Sequence, residues 1–351
     1  MGPNGSGKST LLRALVDMGR AASSPMETVH VPPFLSDQTR WEPTAFSLEG
    51  EADFLDPGEA PQRFRYELTI ERQQRDDGTA APLLVNHEAL VHFPRGRRRR
   101  LFERGALGTS VYVSREFGLT ARDDRLKGIE PNRSAIATLG LVNVPVATRF
   151  AAFLRDSLVS ASNIAGNDTF TPDTSTVINW LAASADAKRW VEAQIQRSDL
   201  GIEDMEIADG FGGRHLRFNH SGLDAPVVLG YESKGTRCLV HLLPLIKLAL
   251  DESGLAILDE VDGDLHVDML WEILHRFRSR ENNSRRAQLL VSSHHVGLLD
   301  DLEKEEVFIV EKDDSGATRV YGAQDVQGLR RDVRLYPKYR AGVLGGLPKL
   351  G

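Results

Sequence analysis

The segment GPNGSGKST at residues 2–10 is the feature that most constrains how this chain can fold. Gly2, Gly7, Lys8 and Ser9 occupy the fixed positions of a loop that wraps a chain of phosphates and leads into a helix. Glycine lets the backbone turn so that several N–H groups converge on the phosphates, and the start of the helix adds its positive dipole end. The segment therefore predicts a nucleoside triphosphate site.

Each position of this loop has an expected role. Lys8 is expected to reach the β- and γ-phosphates, and Ser9 is expected to bind Mg²⁺. The alternative is a chance glycine-rich turn before a helix, which requires all the fixed positions to coincide by accident. The residues predicted to contact the nucleotide are Gly2, Asn4, Gly5, Ser6, Gly7, Lys8, Ser9 and Thr10.

A short apolar run followed by two acids predicts a second part of the site. Residues 255–258 are entirely apolar and precede Asp259 and Glu260. Buried strands of parallel sheets have this pattern, and ligands bind beyond the carboxyl ends of such strands. Asp259 is therefore expected to join Ser9 in holding Mg²⁺, and Glu260 is expected to polarise the attacking water. Taken alone, the two acids would fit a polar strand end equally well.

The segment LLVSSHH at residues 289–295 is a second apolar strand with polar residues at its end. A histidine at this place could hydrogen-bond to the γ-phosphate or to the attacking water, and we assign that role to His294. A solvated loop histidine is the alternative, and it is the better interpretation of His295.

The segment ESKGTR at residues 232–237 predicts a second anion site at a helix start. Ser233 and Gly235 lie beside the N–H groups of that helix N-terminus, and no phosphate of their own is within reach in the sequence. Such a site is useful if it binds the γ-phosphate held by a second subunit. The alternative is an ordinary capped helix, with Ser233 or Thr236 as the cap.

The apolar pattern changes three times along the chain. A first helix is expected to begin in the loop and close near Gly19. Residues 29–102 contain short alternating runs typical of antiparallel strands, and residues 123–196 have the helical spacing of a helical insertion. After residue 199, strands and helices alternate, with helices near 236–250 and 267–278 and strands at 255–258 and 288–292. This order predicts a mostly parallel sheet.

Composition limits the partners and the compartment. The formal net charge is −7, with 43 basic and 50 acidic residues, which argues against wholesale coating of nucleic acid or of an anionic membrane. No window approaches the roughly 18 apolar residues of a membrane span, and Met1 runs directly into the loop instead of into a secretory leader. With Cys238 as the single cysteine, we expect a cytoplasmic protein without a disulfide and without membrane attachment.

One run of basic residues stands out from this acidic background. It could contact the phosphates of DNA or RNA. A solvated hairpin tip is the favoured alternative, because no aromatic platform interleaves with the arginines and the chain is acidic overall. The run consists of Arg95, Arg97, Arg98, Arg99, Arg100 and Arg104.

The four motifs, in this order, resemble the heads of ABC-type ATPases. Walker A corresponds to residues 2–10, the signature to 232–236, Walker B to 255–260, and the switch histidine to His294. Because ESKGT replaces LSGGQ, the chain is most similar to prokaryotic AAA-family ATPases of ABC architecture. Many of these occur in abortive-infection and other phage-defence operons, and they are more distantly related to overcoming-lysogenization-defect nucleases and SMC-type repair ATPases.

Three further segments are similar to the same family. DEVDGDLH at residues 259–266 has its D-E-x-D-x-x-L-H form, residues 199–207 resemble its re-entry strand, and residues 335–351 resemble its closing segment. The resemblance implies that Ser233 and Gly235 bind the partner's nucleotide and that Asp262 lies in a loop between subunits.

The resemblance implies an α/β P-loop NTPase fold with an ABC-ATPase-like head. The expected division is a P-loop and strand-rich antiparallel lobe at residues 1–115, a helical insertion at 116–204, and the signature, Walker B and switch-histidine part with its mostly parallel core sheet at 205–351. The implied function is ATP hydrolysis, with ATP and Mg²⁺ as cofactors, in a dimeric sensor or clamp of phage defence. A homodimer or higher oligomer and a partner nuclease or Toprim-like effector are the implied partners.

Other functions stay open at this point. A DNA repair or recombination ATPase of SMC type is one alternative, although no long coiled coil is present. A transporter ATPase is disfavoured by ESKGT and by the lack of a clear Q-loop glutamine. A nucleotide-gated scaffold for a partner nuclease would show little turnover. The family also places a strand before Walker A, so we expect the true start to lie about 20 to 40 residues upstream of Met1.

Overall fold

The structure is a computed structural model that describes residues 1–24, 29, 42–55, 58, 60–72, 82–105, 110–162, 173–198, 201–210, 212–263, 265–330 and 333–347. It contains two compact units, Arg13–Leu158 and a second formed by Met1–Leu12 with Val159–Gly351. The parts of the family resemblance that rest on residues 199–200, 264 and 348–351 lie outside the described residues. The division of the chain at residues 115 and 204 stays a prediction.

The unit Arg13–Leu158 is built on a five-stranded antiparallel sheet with its strands in chain order. Side chains on β2 alternate between the core and the outer face, as the period of a strand requires, with Tyr66 and Leu68 fully buried. The antiparallel strands expected from the alternating runs are confirmed, and they continue past residue 102. The strands are β1 Thr44–Ala52, β2 Gln62–Arg72, β3 Leu83–His92, β4 Arg99–Arg104 and β5 Val111–Val113.

Among the described residues, helices α2 Ala135–Leu141 and α3 Pro145–Ser157 complete this unit together with most of α1 Lys8–Ser23, which begins in the phosphate loop and whose first residues belong to the other unit. The expectation that α1 closes near Gly19 is wrong. A Cβ atom on Gly19 would lie 2.8 Å from Leu158 Cδ1, so the glycine serves close packing within the helix instead of ending it. The buried residues that follow, Ala21 and Ala22, extend the apolar face by another turn.

Within its described residues, the other unit contains three separate sheets. In the first, β10 Leu255–Asp259 and β11 Gln288–Ser292 pair in parallel, with β6 Leu158–Ser162 on the far side of β10. The second is antiparallel and comprises β7 Ile202–Gly210, β8 Gly213–His220 and β9 Val227–Val228. The third is the antiparallel hairpin of β12 Phe308–Lys312 and β13 Thr318–Gly322.

The helices of this unit are α4 Thr174–Ala183, α5 Ala185–Arg197, α6 Lys234–Asp251, α7 Val267–Arg278 and α8 Leu335–Arg340. The expected helices and strands after residue 199 are confirmed, and α7 and β11 have the predicted bounds. The expected helical insertion, in contrast, also contains strand β6, which the sequence analysis missed. Leu158 continues the helical spacing of Phe150 and Leu154, and no turn residue separates α3 from the strand, so the change of period is hidden.

Among the described helices, none is by itself long and apolar enough to cross a membrane, and only the sharply bent pair α2 and α3 meets the requirement of length and composition when combined.

Candidate active site

The phosphate loop needs glycine at two of its positions for steric reasons. Gly2 and Gly7 have φ values of 155° and 103°, which disfavour any residue with a Cβ atom. A Cβ atom on Gly2 would lie 2.0 Å from Val310 O, and one on Gly7 would lie 2.3 Å from Thr318 Oγ1. Helix α1 begins at the next residue, Lys8, so the free N–H groups of its first turn belong to this loop.

The hairpin of β12 and β13 holds the loop from a distant part of the sequence. The Val310 N–H donates to Met1 O at 2.8 Å, and Thr318 Oγ1 donates to Ser6 O at 2.9 Å. Sequence analysis missed both positioning residues, because about three hundred residues separate them from the loop and neither belongs to a motif.

Lys8 is buried, and its charge is placed close to the predicted acids. Its Nζ donates to Gly2 O and Pro3 O, each at 3.0 Å. Burial lowers the pKa of Lys8, and the charges of Glu260 and Asp259 oppose that change. The charge of Asp262, three residues beyond the end of β10, opposes it as well. Lys8 of the Walker A segment therefore lies within the electrostatic influence of the acids of the Walker B segment.

The carboxyl ends of β10 and β11 are locked together by one hydroxyl group. Asp259 and Ser292 are the last residues of the two strands and lie opposite each other in the parallel register. Ser292 Oγ donates to Asp259 Oδ1 at 2.5 Å and accepts from the Glu260 N–H at 2.9 Å. Ser292 thus orients both predicted acids, a role that its position opposite Asp259 could have indicated.

Glu260 has a strained backbone. Its φ of 52° lies in the left-handed region, which a side chain other than glycine adopts at a cost of about 1–3 kcal/mol. The side chain remains about one-third exposed, and its Oε1 lies 3.1 Å from His294 Nε2. Such strain persists only where the surrounding contacts impose it and is concentrated at functional sites. The structure thus brings Glu260 and His294 together, and the roles assigned to them stay predictions.

Asp262 holds the turn that carries the switch histidine. Its Oδ2 accepts from Ser293 Oγ and from the His294 N–H, both at 2.7 Å. The side chain is buried, and Oδ1 has no hydrogen-bond partner in the described part of the chain. The resemblance placed Asp262 in a loop between subunits. Within this chain, its carboxylate points inward and fixes the position of His294.

The signature segment forms a capped helix start, and its predicted contact with a nucleotide of a second subunit stays a prediction. Ser233 Oγ accepts from the Thr236 N–H at 3.1 Å, as an N-cap residue does. In front of the cap, Glu232 Oε1 lies 2.7 Å from His220 Nε2, and this pair fastens the turn to the end of β8. Neither Ser233 nor Gly235 hydrogen-bonds to the phosphate loop within the described ranges.

The oxygen donors available fit the magnesium ion that the motifs imply. Mg²⁺ is usually held by one or two protein oxygens together with phosphate and water, and Ser9 and Asp259 supply a hydroxyl and a carboxylate. Asp259 Oδ1 is engaged by Ser292, while its Oδ2 makes no hydrogen bond to the described residues. The described residues contain no group of three or more His, Cys, Asp or Glu side chains that could hold a metal ion without such additional ligands.

Comparison with known families supplies the identification. Residues 1–300 match the family described as "AAA domain, putative AbiEii toxin, Type IV TA system". The chain belongs to this family. Its membership confirms the nucleotide-binding ATPase domain and the P-loop NTPase fold that the motifs predicted, and it confirms the recognition of an ABC-type AAA ATPase. A search of curated proteins returns no significant match.

Solved structures with a similar chain include heads of SMC proteins. An SMC head bound to the C-terminal winged-helix domain of ScpA is 13% identical, with 92% of this chain and 88% of that chain covered and a TM-score of 0.46. An SMC head from Pyrococcus furiosus with an extended coiled coil, bound to the C-terminal domain of ScpA, is 12% identical, with coverages of 97% and 90% and a TM-score of 0.39. A further SMC ATPase, from a study of ATP-driven dimerization and DNA-stimulated activation, is 14% identical, with coverages of 50% and 99% and a TM-score of 0.33.

Proposed function

We propose that this protein hydrolyses ATP and that Glu260 is the general base. The observation that supports this proposal best is the strained Glu260, which is held at the end of β10 with its carboxylate beside His294. A carboxylate at this place can accept a proton from a water that attacks the γ-phosphate, and His294 can hydrogen-bond to that phosphate or to the water.

The remaining residues of the site bind and orient the substrate in this proposal. Lys8 moves from its own loop carbonyls to the β- and γ-phosphates, and the N–H groups of residues 2–10 surround them. Ser9 and Asp259 hold Mg²⁺, which neutralises charge on the phosphates when bound. Ser292 keeps the carboxylates of Asp259 and Glu260 in their relative positions.

Replacement of Glu260 by glutamine tests the general base. The amide cannot accept the proton from water, so we expect phosphate release to fall by about 100-fold or more, while ATP affinity stays close to that of the parent. Glu281→Gln, at an exposed position, is the matched control and should hydrolyse ATP normally. Lys8→Ala should lose ATP binding itself. Hydrolysis by Glu260→Gln at the parental rate would show that Glu260 is not the base.

We further propose that two copies close over two nucleotides. The support is the helix start at Ser233 and Gly235, which exposes N–H groups and has no nucleotide of its own chain to bind. ATP should therefore drive association, because it is bound by both copies in the dimer and by one in the monomer. Sedimentation of Glu260→Gln with and without ATP measures this directly.

The proposed dimer predicts two results of that experiment. The mass should double at saturating ATP, and an unchanged mass would rule out the two-subunit arrangement. Ser233→Arg introduces bulk and charge at the helix start, so it should prevent association but leave ATP binding by the monomer unchanged. A Ser233→Arg protein that still dimerises with ATP would show that the interface lies elsewhere.

We place this activity in the cytoplasm and in phage defence, as an ATP-dependent sensor or clamp that controls a partner nuclease or Toprim-like effector. The family description supports this context, because it names an AbiEii toxin of a type IV toxin–antitoxin system. A host that expresses the protein with its neighbouring genes should plate phage less efficiently than a host that expresses Lys8→Ala in the same operon. Equal plating by the two would remove the defence role and leave the ATPase assignment untouched.

A further inference from the structure

The hairpin between β3 and β4 carries three arginines that the chain itself does not use. Arg95, Arg97 and Arg98 are exposed, and their side chains form no ion pair or hydrogen bond with the described residues. The backbone beneath them is well defined by hydrogen bonds from Gly96 N–H to Phe93 O at 3.1 Å and from Arg97 N–H to Pro94 O at 3.0 Å. The tip therefore presents three unpaired positive charges from a fixed turn.

This tip extends past the neighbouring strands. The last pair between β3 and β2 is His92 with Phe64, and the last pair between β4 and β5 is Phe102 with Val113. Residues 94–98 lie beyond both pairs and form the turn between β3 and β4, with a short 3-10 helix at Pro94–Gly96. The three unpaired arginines therefore lie on a turn at the end of the sheet.

Aromatic rings from other strands support the arginines around this tip, a feature that the sequence could not reveal. The guanidinium groups of Arg63 and Arg65, on β2, lie 5.1 and 5.8 Å from the ring centre of Phe93. Arg100 lies 4.1 Å over the ring of Tyr112, on β5. Stacking on a ring restricts a guanidinium group, so less side-chain entropy is lost when it binds an anion.

We call this region the hairpin surface, and its charge is strongly unbalanced. Its acidic partners are Glu49 with Arg63 and Arg65, Glu67 with Arg65, Glu116 with Arg99, and Glu103 with Arg100. Three positive charges remain unmatched on a chain whose formal net charge is −7. The arginines of the hairpin surface are Arg63, Arg65, Arg95, Arg97, Arg98, Arg99 and Arg100.

We propose that the hairpin surface binds the phosphate backbone of duplex DNA without reading its base sequence. Duplex DNA carries one negative charge per about 1.7 Å of its axis, so several arginines can each meet a phosphate. A membrane surface fits less well, because Tyr112 is the one exposed large apolar side chain among the described residues of this surface, and Arg100 covers its ring.

The triple variant Arg95→Glu, Arg97→Glu, Arg98→Glu tests the proposal in the full-length protein. Binding of fluorescent 30-base-pair DNA duplexes of two unrelated sequences is followed by anisotropy from about 50 to 200 mM salt. We expect the parent to bind both duplexes equally. The triple variant should bind at least tenfold more weakly at low salt, and its plot of log affinity against log salt should be less steep by about 3, one phosphate contact per arginine.

A charge-matched control variant distinguishes an effect of the hairpin surface on DNA binding from an effect of the net charge of the protein. Arg189→Glu, Arg214→Glu and Arg280→Glu change the same number of charges at exposed positions in the other unit. This control should bind DNA with the salt dependence of the parent. ATP hydrolysis in the absence of DNA should be the same in both triple variants and in the parent, which shows that the site in the other unit is intact.

Several outcomes would overturn the proposal. The first is a parent protein that does not bind the duplex at low salt, and the second is an equal loss of affinity in the control variant. A third is tighter binding of duplex RNA, or of a single strand of the same length, through the same arginines. A fourth is loss of binding to phosphatidylserine vesicles in the triple variant while DNA binding is unchanged.

Discussion

Two carboxylates with almost no exposure, one in each unit, fasten a turn to a strand, but they are satisfied to different degrees. In the unit Arg13–Leu158, Glu88 accepts from Tyr66 Oη at 2.9 Å and from Ser134 Oγ at 2.7 Å, and its other oxygen accepts from the Ala135 N–H at 2.6 Å. Arg104 lies 3.7 Å away as the counter-charge. Both oxygens of Glu88 are therefore engaged at the start of α2.

In the other unit, only one of the two carboxylate oxygens of Asp262 accepts hydrogen bonds from the described residues. Its Oδ2 receives the Ser293 hydroxyl and the His294 N–H, while Oδ1 is buried without a partner among the described residues. No arginine or lysine forms an ion pair with it there, and Lys8 interacts with it at longer range. An unsatisfied buried oxygen costs free energy, so its presence needs an explanation other than stability.

The comparison separates a structural network from a functional one. Both oxygens of Glu88 are engaged and join β3 to α2, although Nε of the neighbouring Arg104 is buried without a partner among the described residues. Burial raises the pKa of Tyr66, so its hydroxyl group remains a donor. Asp262 follows the strained Glu260 by two residues and accepts from the His294 N–H, and its Oδ1 is buried without a partner among the described residues. We therefore expect loss of Glu88 to reduce stability and loss of Asp262 to reduce turnover.

The largest effect should come from Glu88→Ala. It removes an acceptor from several buried donors and leaves Arg104 without its counter-charge, so the free energy of unfolding should fall by about 3–5 kcal/mol. Urea unfolding measures this, with turnover corrected for the folded fraction expected to be unchanged. Glu67→Ala, on the half-exposed face of the same sheet, is the control and should change the free energy of unfolding by less than about 0.5 kcal/mol. A loss below 1 kcal/mol for Glu88→Ala would contradict a structural role.

The next effect is that of Asp262→Asn. The amide keeps the size of the side chain but weakens the hold on His294, so kcat should fall by about 10- to 100-fold while KM for ATP changes little. The free energy of unfolding should hardly change, because removal of an unsatisfied buried charge offsets the weaker hydrogen bonds. A variant that loses stability but keeps the parental turnover per folded molecule would place Asp262 in the same class as Glu88, and the comparison would fail.

The candidate site residues could be selected from the sequence because each lies within a few positions of a strand end or a helix start. Asp259, Glu260 and His294 follow apolar runs whose length and composition identify buried strands. The contacts between these segments were not predictable in the same way. Ser292 meets Asp259 through strand register, and Thr318 meets the phosphate loop through a hairpin that no motif marks.

The helices and strands that were predicted are likewise specified by local sequence, whereas those that were missed depend on residues distant in the sequence. Helix α7 and strand β11 were predicted because their apolar periods are regular and their ends are marked by polar residues. Strand β6 was missed because its hydrophobic residues continue the phase of α3, and only its place beside β10 selects the extended form. The rings beside the arginines of the hairpin surface were missed for an equivalent reason, since sheet order brings them there.

A smaller effect is expected for Ser292→Ala. The change removes one hydrogen bond from the Asp259 carboxylate and one from the Glu260 N–H, and a bond to a charged group contributes about 1.5–3 kcal/mol. We expect kcat to fall by about tenfold through misplaced carboxylates. Ser292→Thr keeps the hydroxyl and should restore most of the rate, whereas equal rates in the two variants would show that the hydroxyl does not position the acids.

The smallest effect concerns a carboxylate that is neither buried nor near the site. Asp173 caps α4, and hydrogen bonds from Ser175 Oγ and from the N–H and hydroxyl of Thr176 lower its pKa from 3.8 to about 2. Because the folded-state pKa is lowered, this group stabilises the fold above pH 3.8, and that contribution disappears as the pH falls towards 2.

Asp173→Ser keeps a capping oxygen but cannot titrate. The difference in stability between the parent and this variant should be constant above about pH 5 and should shrink between pH 3.8 and 2. A difference that stays constant down to pH 2 would mean that the pKa of Asp173 is not lowered by its cap. The comparison of carboxylates would then apply only to Glu88 and Asp262.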